Sequence, residues 1–261
     1  MSSNPVALVT GASSGIGAVY ADRFARRGHN LVLVARNAER LDTVATGLRD
    51  KHGVQIEVVQ ADLAGAEDLS MVANRLADDA RIDVLVNNAG IALSGGFIDQ
   101  SPADVTELLA VNVAAVTRLA QVAAQRFAHA GRGAIINISS VVGLVPEFRQ
   151  AAYAASKAYV TTLSQAMAFE LSSKGVQVQC VLPAGTVTPL WERSGLDTSR
   201  LPQMMDAKVL VDAAMVGFDR GETITIPVLS DAGQWDDYQA ARMAMISGFS
   251  GSQAAARYAS A

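Results

Sequence analysis

The sequence alternates short apolar runs with longer amphipathic stretches, and this alternation restricts its fold more than any other feature. The apolar runs favour β-strands and lie at residues 6–10, 30–35, 55–60, 83–87, 134–139, 176–182 and 223–227. Helical spacing of apolar positions marks residues 15–28, 38–52, 66–80, 103–130 and 152–175. Strands that are apolar almost throughout suit a parallel sheet covered on both faces. The pattern predicts a doubly wound parallel α/β sheet of about seven strands, flanked by helices on both faces.

The chain of 261 residues, half of them apolar, is long enough to bury a large core. No linker or repeat interrupts the alternation, so residues 1–261 are predicted to form a single domain. Residues 186–206 mix apolar bulk with turn-forming residues and are predicted to be a lid. Residues 228–261 are predicted to be a C-terminal extension, with a last helical stretch at 231–246.

Charge and cysteine content narrow the class of protein further. The net charge is −4 and the basic residues are scattered, which predicts neither a nucleic-acid partner nor a membrane partner. Cys180, flanked by apolar residues, is expected to be a buried structural thiol in a reducing compartment. No apolar leader is visible at the N-terminus, so a cytoplasmic location is expected. The three histidines lie apart from other metal-ligand types, and no metal site is predicted.

A glycine-rich turn joins the first predicted strand to the first predicted helix. Glycines and small residues there would let backbone N–H groups at the helix N-terminus approach a pyrophosphate. This placement predicts a Rossmann-type dinucleotide site, whereas a tight turn without a ligand is the alternative. The residues expected to contact the cofactor in this turn are Gly11, Ser13, Ser14, Gly15, Ile16 and Gly17.

The same turn also matches the G-x-S-x-G pattern of a hydrolase nucleophile elbow, with Ser13 at its centre. A hydrolase of that type needs a histidine late in the chain, but the last histidine is His129. It also needs an oxyanion donor from an earlier strand loop, and the turn follows the first strand. The hydrolase interpretation is therefore disfavoured.

The second predicted strand ends in Ala35, Arg36 and Asn37, without a carboxylate. In dinucleotide sites an acidic residue at this place binds the ribose 2′-hydroxyl, whereas an arginine accommodates a 2′-phosphate. Arg36 offers a guanidinium fork suited to phosphate, so NADP(H) is favoured over NAD(H).

Tyr153 and Lys157 are four residues apart near the start of a predicted helix, so both lie on one helix face. A solvated helix face is the simple alternative. A phenol with a pKa near 10 is a poor base at neutral pH, and a neighbouring ammonium favours the phenolate. The pair therefore predicts a tyrosine that acts as general acid and base.

Together these motifs resemble the short-chain dehydrogenase/reductase family from residue 6 to about residue 227. The resemblance rests on the segments 10–17, 62–63, 87–90, 139–140, 153–157 and 183–188, together with one asparagine in the fourth crossover. It implies a catalytic tetrad of Asn112, Ser140, Tyr153 and Lys157. It also implies cofactor contacts from Asp62, Leu63, Asn87, Ala89, Gly90, Tyr153, Lys157, Pro183 and Thr188. For Asn87 and its neighbour Asn88, shaping the end of the strand is an equal alternative. Pro183-Ala184-Gly185 departs from the usual Pro-Gly of the family.

The implied function is an NADP(H)-dependent carbonyl reductase or alcohol dehydrogenase. Ser140 would bind the carbonyl oxygen and Tyr153 would donate the proton, while Asn112 would hold a water that links Lys157 to solvent. Loops at 91–97, 141–148 and 186–205 are mainly apolar, which favours a hydrophobic ketone or secondary alcohol as substrate. A non-catalytic nucleotide-sensing protein and an isomerase or dehydratase that uses the nicotinamide transiently are the alternatives. The resemblance further implies a homo-oligomer, a dimer or a tetramer.

Overall fold

Seven parallel strands form the central sheet of the computed structural model, which describes residues 4–194 and 203–258. Each lies where an apolar run predicted it. Five of the strands are buried along nearly their whole length, as expected for strands covered on both faces. Their bounds are β1 Val6–Thr10, β2 Asn30–Ala35, β3 Ile56–Gln60, β4 Ile82–Asn87, β5 Gly133–Ile138, β6 Val176–Val181 and β9 Ile224–Thr225.

The strand order is β3-β2-β1-β4-β5-β6-β9, and every pair in it is parallel. From β1 the chain winds outward to β3, crosses back to β4 and then winds outward in the other direction. The predicted doubly wound sheet of seven strands is confirmed. Its direction of winding changes between β1 and β4, and such a change opens a crevice at the carboxyl ends of the strands, where sheets of this type bind ligands.

Helices cover both faces of the sheet and create two large hydrophobic clusters. The helices up to residue 227 are α1 Gly15–Arg26, α2 Ala38–His52, α3 Ala66–Asp78, α4 Pro102–Leu109, α5 Val116–Ala130, α6 Ala151–Leu171, α7 Pro189–Ser194 and α8 Ala207–Asp219. On one face lie α1, α2 and α8, and on the other lie α3, α5 and α6.

The helix predicted at 103–130 is divided in two. A π-helical turn at Ala110–Ala115 separates α4 from α5, and such turns occur often at functional sites. By length and composition, Pro102–Ala130 could also cross a membrane. In this structure α5 packs against β4, β5 and α3, as the core helix of a globular domain does.

The segment after β6 contains a small second sheet. Its two strands are β7 Thr186–Val187 and β8 Met205–Asp206, which pair in parallel, and α7 lies between them in the chain. Residues 195–202 of the predicted lid lie outside the described residues.

Residues 228–258 form a second compact unit that begins directly after Pro227. It contains α9 Gly233–Ala244, followed by a 3₁₀ turn at Met245–Ser250. Every residue of α9 is at least partly exposed. The helical stretch predicted at 231–246 corresponds to this helix and the start of the turn.

Candidate active site

A cavity of about 790 Å³ opens at the carboxyl ends of the parallel strands. Residues that follow six of the seven sheet strands line it, so the fold itself brings together segments far apart in sequence. Among the predicted site residues, those that line it are Gly11, Ser13, Ser14, Gly15, Ile16, Arg36, Asp62, Leu63, Ala89, Gly90, Ser140, Tyr153, Lys157, Pro183 and Thr188. Gly17, Asn87 and Asn112 are described by the structure but do not line it.

Asn88 holds the glycine-rich turn in place from the neighbouring strand. Its amide nitrogen donates to the carbonyl oxygens of Thr10 at 2.9 Å and of Gly11 at 3.2 Å. Gly11 has a φ of +66°, and a β-carbon there would lie 2.7 Å from that amide nitrogen. The turn therefore requires glycine at this position, both for its backbone angle and for space.

Gly17 supports the turn rather than lining the cavity. A β-carbon on Gly17 would lie 2.4 Å from the carbonyl oxygen of Gly11 and 2.4 Å from the amide nitrogen of Asn88. Its missing side chain allows α1 to pack closely under the turn. The structure gives Gly17 this packing role, and its contact with the cofactor stays a prediction.

Asn87, like Gly17, does not line the cavity. It is buried at the end of β4, and its amide nitrogen donates to Oδ1 of Asn137 at 3.0 Å. Successive side chains of a strand point to opposite faces, so Asn87 enters the core while Asn88 lies beside the turn and lines the cavity. The structure shows Asn87 shaping the end of β4 and Asn88 holding the turn, whereas the cofactor contact of Asn87 stays a prediction.

Two arginines, Arg36 and Arg40, line one end of the cavity. Nη1 of Arg36 lies 3.2 Å from Oε1 of Glu107. The sequence analysis missed Arg40, although a signal existed. Asn37 caps α2 by accepting from the backbone N–H of Arg40 at 2.8 Å, which places Arg40 in the first helical turn beside Arg36.

Asp62 follows β3 at the same end of the cavity. Its Oδ1 accepts from the backbone N–H of Ala64 at 3.1 Å, and its own N–H donates to Asp68 at 2.7 Å. These bonds fix the loop after β3, so the Asp62 carboxylate has a defined position on the cavity wall.

At the other end, Ser140 follows β5 and Tyr153 lies in the first turn of α6. Both side chains are largely buried. Burial raises the pKa of Tyr153 to about 12, and the nearby Ser140 hydroxyl opposes this rise only in part. Tyr153 is therefore a neutral phenol at pH 7 with a proton to donate.

Lys157 lies one helical turn after Tyr153, with Nζ 5.6 Å from the centre of the tyrosine ring. Nζ donates to the carbonyl oxygen of Ile138 at 2.9 Å. Burial lowers the pKa of Lys157 to about 8, so the ammonium form still dominates at pH 7. In this geometry burial decides the direction in which the pKa of Tyr153 shifts, and the lowering by Lys157 stays a prediction.

Asn112 lies in the π-helical turn behind the cavity wall. Its Oδ1 accepts from the backbone N–H of Ile91 at 2.9 Å, and its amide nitrogen donates to the Ile91 carbonyl at 2.9 Å and to Ser156 at 3.2 Å. A β-carbon on Gly90 would lie 3.3 Å from this Oδ1 and 3.6 Å from Nζ of Lys157. The structure shows Asn112 positioning the loop beside Lys157, and its water-holding role stays a prediction.

The wall beyond Tyr153 is mainly apolar, as predicted. The indole nitrogen of Trp191 donates to the carbonyl oxygen of Thr186 at 2.7 Å, which fixes the ring. Gln150 and Gln203 add polar groups that the sequence analysis did not single out. The apolar side chains are Ile91, Val141, Val142, Phe148, Leu190 and Trp191.

Comparison with known families decides the class of this site. Residues 5–198, about three quarters of the chain, match the family model described as short chain dehydrogenase. The chain belongs to the short-chain dehydrogenase family of oxidoreductases. The resemblance inferred from the motifs is confirmed.

Curated members of the family share about a third of their residues with this chain. The very-long-chain 3-oxoacyl-CoA reductase of Anas platyrhynchos is 36% identical over 188 residues, which cover 70% of this chain. The inactive hydroxysteroid dehydrogenase-like protein 1 of Homo sapiens is 33% identical over 186 residues, again 70% of this chain. The chain spans only 60% and 56% of the lengths of these two relatives.

Two solved structures match over nearly the whole of both chains. A short-chain dehydrogenase from Sphingobium yanoikuyae in complex with NADPH is 53% identical, with a TM-score of 0.96, and the match covers 98% of this chain and 100% of that one. A bulky-bulky ketone specific alcohol dehydrogenase from Comamonas testosteroni is 48% identical, with a TM-score of 0.92 and coverage of 99% and 100%. These family members match nearly the whole of this chain, whereas the curated relatives match about 70% of it.

Proposed function

We propose that this chain is an NADP(H)-dependent carbonyl reductase or alcohol dehydrogenase that acts on bulky hydrophobic ketones and the matching secondary alcohols. The observation that carries this proposal is the composition of one cavity along its length. Two arginines line one end, Ser140, Tyr153 and Lys157 line the middle, and an apolar wall follows. The arginines suit the phosphate of a cofactor, the three polar side chains suit the reacting carbonyl group, and the apolar wall suits the hydrophobic part of a substrate.

The residues present fit an NADP(H) molecule. The glycine-rich turn leaves the start of α1 uncovered beside the cavity, and helix N-termini favour phosphate. Arg36 and Arg40 supply the guanidinium groups that suit a 2′-phosphate. The binding of NADPH by the Sphingobium yanoikuyae relative, at 53% identity, supports the same cofactor here.

When bound, reduced nicotinamide supplies the hydride for carbonyl reduction. The remaining chemistry belongs to three side chains. In this structure the Ser140 hydroxyl donates to the carbonyl oxygen of Pro183 at 3.2 Å, and it would turn from this partner to donate to the carbonyl oxygen of the substrate. Tyr153 holds at Oη the proton that the substrate oxygen receives. Once the proton has left, the Lys157 ammonium stabilises the buried phenolate. In alcohol oxidation the same groups act in reverse.

The substrate class follows from the wall beyond Tyr153. Phe148 and Trp191 provide large flat surfaces, and burial of apolar surface there favours ketones with two sizeable substituents. The Comamonas testosteroni relative, specific for bulky-bulky ketones, supports this class. Long-chain 3-oxoacyl thioesters are the second candidate, because the curated relatives include 3-oxoacyl-CoA reductases.

A panel assay tests the proposal. NADPH consumption is followed at 340 nm with a diaryl ketone, a small methyl ketone and a long-chain 3-oxoacyl thioester. We expect the highest kcat/KM for the diaryl ketone. Turnover of the thioester alone would favour the second candidate. Tight NADPH binding without turnover of any carbonyl would contradict an enzymatic role and favour a nucleotide-sensing protein.

Changing Arg36 to aspartate should shift the cofactor preference toward NADH. A carboxylate repels the 2′-phosphate and accepts a hydrogen bond from the ribose 2′-hydroxyl, so NADPH affinity should fall by about 10- to 100-fold. The measurement is titration with NADPH and with NADH, followed by nicotinamide fluorescence. Arg118→Asp, the same change at an exposed arginine of α5 outside the cavity, is the matched control. An unchanged preference for NADPH would show that other residues recognise the phosphate.

A further inference from the structure

The two arginines at the phosphate end of the cavity are in different electrostatic situations. Within the described residues, the guanidinium of Arg40 has no ion-pair or hydrogen-bond partner, whereas that of Arg36 pairs with Glu107. The Arg36 side chain is 50% exposed and the Glu107 side chain is 44% exposed. Solvent and a ligand can therefore both reach the pair.

Glu107 comes from a distant part of the chain. It lies in the last turn of α4, 71 residues after Arg36, and it does not line the cavity. Its Oε1 reaches Nη1 of Arg36 from outside the cavity, at 3.2 Å. Part of the guanidinium fork that faces a 2′-phosphate is thus already bound by a carboxylate.

We propose that Glu107 is a specificity-determining residue that weakens the discrimination of this chain in favour of NADPH over NADH. The inference rests on the proposed function, because it assumes that Arg36 meets the 2′-phosphate. A 2′-phosphate carries more than one negative charge at pH 7, so it competes with the Glu107 carboxylate for Arg36 and is repelled by it. NADH lacks this phosphate and is not subject to either effect.

The expected size follows from the exposure of the pair. An ion pair between two exposed side chains is weak, because water reduces the attraction between the charges. Removing the Glu107 charge should therefore raise the affinity for NADPH by roughly 3- to 5-fold, and the gain should shrink in 1 M salt, where screening is strong.

The test compares Glu107→Gln with Glu170→Gln, which removes the same charge from an exposed position on α6. Each full-length protein is titrated with NADPH and with NADH. We expect Glu107→Gln to bind NADPH about 3- to 5-fold more tightly, with NADH affinity changed by less than about twofold. The control should match the wild-type protein for both cofactors.

Three outcomes would overturn the role of Glu107. The first is an unchanged affinity of Glu107→Gln for NADPH, and the second is an equal gain in affinity for NADPH and NADH. The third is a weaker affinity for NADPH, which would mean that Glu107 holds Arg36 in its binding position. A failure of NADPH to bind any of the proteins would overturn the proposed function as well. As a second variant, Glu107→Gln in an Arg36→Ala background should show a smaller gain than in the wild-type background, since the competition for Arg36 is gone.

Discussion

Replacing Tyr153 by phenylalanine should abolish ketone reduction while changing the affinity for NADPH by less than about twofold. The phenylalanine ring fills the same space, so the cavity keeps its shape, but the hydroxyl that holds the transferable proton is lost. Positioned general acids typically contribute 10²- to 10⁴-fold to a rate, so we expect a fall in kcat of about that size.

Tyr159→Phe is the matched control for this experiment. Tyr159 lies on the same helix, is 40% exposed, and its hydroxyl bonds Thr117 at 3.0 Å outside the cavity. Single-turnover kinetics with bound NADPH would separate the chemical step from cofactor binding. If Tyr153→Phe kept more than a tenth of the wild-type rate, another group would have to donate the proton.

Changing Lys157 to methionine should remove most activity and should also change how stability depends on pH. Without the ammonium, the Tyr153 phenolate that forms during reduction lacks its neighbouring positive charge, so kcat should fall by about 10²- to 10³-fold. Methionine is unbranched and apolar and can occupy the same buried space.

The pH effect has a definite sign. Burial lowers the pKa of Lys157 to about 8 in the folded protein, against 10.5 for the exposed group. Below pH 8 both states hold the proton, and the folded state bears the full cost of the buried charge. Between pH 8 and 10.5 the unfolded state holds more protons, so stability rises with pH. Relative to Lys157→Met, the wild-type protein should gain roughly 2–3 kcal/mol in its free energy of unfolding from pH 7 to pH 10.

Urea unfolding at four pH values between 7 and 10 would measure this difference. Lys174→Met, which removes an exposed ammonium after α6, is the control and should follow the wild-type pH profile closely. Parallel profiles for the wild-type and Lys157→Met proteins would show that the lysine is hydrated in the folded state and is not held at a lowered pKa.

The sheet could be predicted well because burial leaves a strong signal in sequence. Strands covered on both faces are apolar at almost every position, so β1, β2, β4 and β5 stand out from the amino-acid pattern alone. The two-residue strands β7 and β8 were not predicted, because so short a pairing depends on a contact between segments 19 residues apart rather than on local pattern.

The site was predicted less evenly. The sequence placed three catalytic candidates correctly in one cavity. Tyr153 and Lys157 are one helical turn apart, and Ser140 follows the end of a predicted strand. Asn87 and Asn88 could not be separated, since only the strand's orientation in the sheet decides which of two adjacent amides enters the core. The contact between Arg36 and Glu107 joins two crossovers, and no local pattern indicates it.

Because of the π-helical turn at Ala110–Ala115, the number of residues between α4 and α5 matters as much as which residues they are. A π turn holds about one residue more than an α turn, so it rotates all following side chains by about 100° around the helix axis. Ahead of it α4 packs against α6, and beyond it α5 packs against β4 and β5. The 29 residues of Pro102–Ala130 thus pack against α6 at one end and against the sheet at the other, which a uniform α-helix could not do. Apolar residues of similar volume can replace one another here, but the gain or loss of a single residue would put α5 out of phase with the sheet.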